Sequence, residues 1–238
     1  MSRKKILNGI DLILRMIRYN FRIIFAGRFL WFLLSAFMML VFIAITSVWN
    51  GNVPDERYVY AILLFPAVLL IFYPMTFGIQ NDLDAGILEI LFGIPDYRYK
   101  IWLIRMVLVF IIVYLILVLF AAVCSVFLAP VGVLAMAWQI MYPVLFLGTM
   151  AFMFSTIIRN GNGTAVVMVI LGALAFIASD SISRTMWNIF LNPFGIPSNM
   201  NEMIWQELVV KNRILLLVGA ILFFLFGLFN LQKREKFI

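Results

Sequence analysis

The chain has 238 residues, 65% of them hydrophobic and 12% charged, with a mean hydropathy of +1.09. Such a balance excludes an ordinary soluble domain, and its long uncharged runs call for membrane-spanning helices, which satisfy their own backbone polar groups in lipid. The net charge of +7 marks a cytosolic face in a chain of this kind rather than a nucleic-acid surface, and one cysteine with no histidine leaves neither a disulfide framework nor a Cys/His metal cluster.

No cleavable signal peptide is legible, because the basic N-terminus is not followed by a short apolar core and a small-residue cleavage site. Residues 3–26 read instead as an amphipathic helix. Ile6, Ile10, Ile13, Ile17, Phe21 and Ile24 recur at helical spacing, and Lys4, Asp11, Arg15, Arg18 and Arg22 fall on the opposite face. A helix with one apolar and one cationic face lies along an anionic membrane surface. A plain positive-inside anchor would occupy the same place.

Six spans follow, at about Phe29–Trp49, Val59–Ile79, Met106–Ala129, Leu134–Ile158, Thr164–Ser179 and Ile214–Leu231. Pro66, Pro74 and Pro143 fall inside two of them, where they read as kinks. With both termini inside, fourteen of the 18 Lys and Arg residues are cytosolic, and only Arg57, Arg184, Lys211 and Arg213 lie outside. This bias predicts that both ends of the chain face the cytosol. The span interiors, so bounded, hold no Asp, Glu, Lys or Arg, which argues against a proton- or ion-coupled carrier. No nucleophile constellation and no acid pair suggest an intramembrane enzyme.

The segment NDLDAGILEILFGIPDYRYK, residues 81–100, stands apart from its apolar surroundings. Residues 86–92 read as a short cytosolic helix, with Asp82 and Asp84 near its start and Gly93 and Pro95 at its end. A soluble partner gripping such a helix could move the two flanking spans as a lever; a solvated loop capping two helices is the plainer alternative. No Gly-x-x-x-x-Gly-Lys-Ser/Thr phosphate loop occurs, and residues 159–164 (RNGNGT) read as a cytosolic turn.

This loop resembles the signature of exporter permeases of the ATP-binding-cassette class, the second membrane family, also called type V. Asp84, Gly86, Leu88, Glu89 and Leu91 match its acid-x-Gly-Thr-Leu-Glu-x-Leu pattern, and Pro95, Arg98 and Arg105 fall at its later positions. Ile87 stands where the family has Thr, and Arg105 where it has Lys. The entry helix, the six spans and the Asn192-Pro193 pair within residues 185–213 are similar to the same family. The resemblance implies a single all-α permease domain over residues 1–238, with an entry helix to residue 28, a coupling loop over 80–105 and short outer-face helices within 180–213. It implies transport rather than enzymatic activity, and no cofactor in this chain. A separate ATP-binding-cassette subunit would hydrolyse ATP, a second permease chain would complete the pathway, and a bacterial inner membrane would hold the assembly. The contact to the ATPase would run through Asp84, Gly86, Leu88, Glu89, Leu91, Pro95, Arg98 and Arg105. A passive channel and a non-transporting membrane scaffold are the competing readings.

Overall fold

Apolar runs of about twenty residues with few helix breakers have one economical conformation in lipid, and among the described residues the protein adopts it six times. The computed structural model describes residues 29–49, 54–84, 102–198 and 200–231. The helices are α1 Phe29–Trp49, α2 Glu56–Asp84, α3 Ile104–Phe127, α4 Val133–Ile158, α5 Gly161–Ser179 and α6 Glu202–Asn230. All six are long and apolar enough to cross a membrane, so this is an integral membrane protein. Among the described residues there is no strand. The entry helix expected over 3–26, with Arg15, Arg18 and Arg22, lies outside the described residues.

The observed helices are longer than the apolar runs. At about 1.5 Å per residue the 29 residues of α2 extend roughly 44 Å, well beyond a hydrocarbon core of about 30 Å. Its polar end, Gln80 to Asp84, continues the helix instead of opening the coupling loop at residue 80. Asp82 and Asp84 therefore close α2 rather than starting the next helix. Pro66 and Pro74 lie within α2 and Pro143 within α4.

The turn expected at residues 159–164 is shorter than the sequence suggested. Arg159 takes a left-handed conformation (φ 60°) and ends α4. The Asn160 side chain then accepts a hydrogen bond from the Gly163 amide at 3.1 Å, so α5 begins at Gly161. The Gly161 amide donates to the Gln80 side chain of α2, and a methyl group at 161 would collide with that side chain and with Phe77. Glycine thus lets α5 start against α2.

Helix α4 is the centre of the bundle. It packs most extensively on α6 and also on α2, α3 and α5, whereas α1 packs chiefly on α2. Gly148 of α4 faces Ile71 of α2 and Phe110 of α3 so closely that a methyl group there would lie 2.7 Å from Ile71 Cγ1. Small residues at such crossings let helices approach in lipid, where packing and interhelical hydrogen bonds hold the bundle together. The most apolar windows of α2 and α4 are 67% buried, against 17% for α1 and α5. These two helices thus have the smallest share of buried residues among the six.

Residues 180–198, between α5 and α6, form a series of turns. The short outer-face helices expected over 180–213 do not occur as separate elements there. The first stretch is non-helical, and the second, from Glu202 to Arg213, is continuous with α6.

Candidate functional site

The expected coupling residues fall in three places. Gly86, Leu88, Glu89, Leu91, Pro95 and Arg98 lie outside the described residues. Asp84 is the last residue of α2. Arg105 is in the first turn of α3 and is only 8% exposed. Its guanidinium carbon sits 5.3 Å from the centre of the Trp102 ring, which in turn lies 5.9 Å from the ring of Phe152 on α4. A methyl group on Gly78 of α2 would come within 3.5 Å of Arg105 Nη2. Arg105 is therefore wedged among α2, α3 and α4, a buried part of the bundle rather than a loop residue. The two helices that flank the unusual loop are both anchored on α4.

A second arginine was missed as a bundle residue. Arg213, placed in an outer segment by its position before an apolar run, lies within α6 and is 5% exposed. Its Nε donates to Gln139 Oε1 of α4 at 3.0 Å, Nη1 to Asn212 Oδ1 at 2.9 Å, and Nη2 to the Leu191 carbonyl at 3.2 Å and to Tyr60 Oη of α2 at 3.5 Å. The guanidinium carbon also lies 5.3 Å from the Tyr142 ring centre. Neutral acceptors and ring faces satisfy this buried cation; among the described residues it has no carboxylate partner. The absence of ionisable groups read from the span interiors does not extend to the observed helices, since α3 carries the buried Arg105 and α6 the buried Arg213.

The same region binds its own irregular chain. Asn212 Nδ2 donates to the carbonyls of Met186 and Asn188, both at 2.8 Å. Trp205 Nε1 donates to the Pro193 carbonyl at 3.1 Å, and Asn192 Nδ2 to the Arg57 carbonyl at 2.7 Å. Asn188 and Asn192 each fold their side chains onto the amide two residues ahead. Carbonyls that a helix would have satisfied are thus met by side chains from α6. The sequence did carry a signal for this. The pairs Glu202/Gln206 and Glu207/Lys211, each at a step of four, extend α6 upstream and carry Asn212 and Arg213 into it.

Open apolar grooves mark the flanks. One, of about 520 Å³, runs between α1 and α3 past Leu40, Ala44, Val123 and Phe127. Another, of about 510 Å³, is walled by Phe110, Tyr114, Trp138, Tyr142 and Leu217. Such grooves fit acyl chains or apolar side chains. Among the described residues no cluster of three or more His, Cys, Asp or Glu converges on a metal-sized site.

Compared with family models, curated proteins and solved structures, the chain matches none.

Proposed function

We propose that this protein is the membrane subunit of an ATP-driven exporter, working with a second permease chain and with separate ATP-binding-cassette subunits. One observation carries the reading: the motif spanning Asp84, Gly86, Leu88, Glu89, Leu91, Pro95, Arg98 and Arg105 joins two helices, α2 and α3, that both pack on the central α4. A loop so placed has a mechanical use. Force applied to it by a partner reaches two helices at once, and the buried Arg105 and Trp102 tie the start of α3 into the bundle. The apolar grooves and the less buried α1 and α5 suit a path between two permease chains for an amphipathic or lipid-like cargo. The positive-inside bias puts the loop and both termini in the cytosol, and a bacterial inner membrane is the proposed location.

The test is co-purification of the tagged chain from its native membrane in mild detergent. An ATP-binding subunit should accompany the native chain, and Glu89→Arg should lose it or uncouple its ATPase activity from cargo movement. If no ATPase accompanies the native chain under several gentle conditions, the exporter reading fails and a channel or scaffold takes its place.

A further inference from the structure

A polar cavity of about 290 Å³ opens at the same end of the bundle as the 180–198 turns. Its walls include Arg57 at the start of α2, Asp180, Ser183 and Arg184 after α5, Asn188, and Trp205 of α6. Arg57 and Arg184 are exposed, and neither makes an ion pair among the described residues, although Asp180 lines the same cavity. Two guanidiniums therefore line one small space with a single carboxylate, which leaves its wall net positive. A third, Arg213, lies directly behind the wall, where it holds the carbonyl of the lining residue Leu191.

The local fold places Arg57 here. The Asn192 side chain holds the Arg57 carbonyl at 2.7 Å. The Arg57 side chain then crosses the backbone of Gly195, where a methyl group would come within 2.9 Å of its Cδ and Nε. The surroundings mix phases. Trp187, Met203 and Ile204, each adjacent in the chain to a cavity residue or one position removed, are 61%, 78% and 56% exposed beside these charged groups. Exposed apolar side chains interleaved with charges mark a membrane–water boundary.

We propose that this cavity binds a phosphate group, as carried by a phospholipid headgroup or free in solution. Paired guanidiniums match phosphate oxygens with parallel charge-assisted hydrogen bonds, and the Ser183 hydroxyl is a further donor. The volume holds a phosphate with a small ester substituent, and the flanking apolar surface suits the acyl chains of a lipid. Asp180 opposes the anion and tunes the site. The proposal concerns a different part of the molecule from the coupling loop and does not depend on the exporter reading.

The full chain, purified in nonionic detergent, would be titrated calorimetrically with dihexanoylphosphatidylglycerol, with dihexanoylglycerol of the same chain length, and with sodium phosphate. The phospholipid should bind at least about 10-fold more tightly than the phosphate-free lipid, and Arg57→Gln and Arg184→Gln should each weaken it by roughly 10-fold. Asp180→Asn should tighten it. Sodium phosphate binding with the same arginine dependence would identify the free anion as a ligand; phospholipid binding alone would identify the headgroup. Equal binding of the two lipids overturns the proposal, as does unchanged affinity in both arginine variants. Both side chains are exposed, so folded variants are expected. Should either fail to fold, Gly195→Ala decides, because it displaces the Arg57 side chain while keeping every charge, and undiminished affinity there counts against the site.

Discussion

The two ends of the bundle solve the same problem differently. At the end holding residues 180–198, chain leaves helical geometry for about twenty residues, and side chains of α6 reach across to its carbonyls. Asn212 holds Met186 and Asn188, Arg213 holds Leu191, and Trp205 holds Pro193. At the opposite end, α4 passes to α5 through only Arg159 and Asn160, and single side-chain bonds join helix to helix among the described residues. Ser155 donates to the Thr76 carbonyl at 3.2 Å, Gly161 to Gln80, and Asn230 to the Thr156 carbonyl at 2.7 Å. Irregular backbone near lipid needs a partner for every polar group, so the long excursion requires a dense lattice and the short one does not. The long excursion is consequently held by its lattice, while at the other end the bonds among the described residues join helices that flank the proposed coupling loop.

Removing Arg213 should break this contrast most severely. Arg213→Met leaves the Leu191 carbonyl, Gln139 and Asn212 without their shared donor, and a loss of about 2–4 kcal/mol is expected. Unfolding in mixed micelles measures it, and hydrogen exchange of residues 186–191 should rise in the same variant. An unchanged midpoint with unchanged exchange would mean that the lattice is not what holds the excursion.

At the opposite end, Asn230→Leu should cost only about 1 kcal/mol, as expected for a single interhelical hydrogen bond in a membrane bundle. Its exchange effect should stay within α4 and α6. A cost matching that of Arg213→Met would erase the distinction between the ends. The smallest effect belongs to Glu207→Gln. Its pairing with Lys211 at 2.7 Å joins two exposed side chains one turn apart on α6, and such surface pairs add little. The unfolding midpoint should not move, which makes this variant the control for charge changes near the lattice.

The helical class, the number of spans and most of their boundaries were legible from hydropathy alone. Phe29–Trp49 was read to the residue, and the fourth span came within one residue of α4. The sixth was not: α6 starts about three turns before Ile214. Hydropathy reports where lipid could surround a segment, and it falls where charges begin. A helix does not end there when its polar residues find partners, as Asn212 and Arg213 do. The same holds past Ile79 in α2, where Gln80 accepts from the Gly161 amide and Asn81 donates to Tyr73 Oη. Of the candidate site residues, Arg105 was assigned to a loop, because its charge hid its burial beside Trp102.

The order of the apolar runs, the position of the unusual loop between the second and third of them, and the uneven distribution of Lys and Arg are properties of the sequence alone. They follow from the cost of placing charge and unsatisfied backbone in lipid, which acts on each segment separately. Tertiary structure alone decided which helix stands at the centre, which arginines are buried, and where Arg57 and Arg184 line one cavity with Arg213 behind its wall. Arg57, Arg184 and Arg213 are far apart in the chain, and they share a neighbourhood only because α2, α6 and the 180–198 turns meet at one end of the bundle.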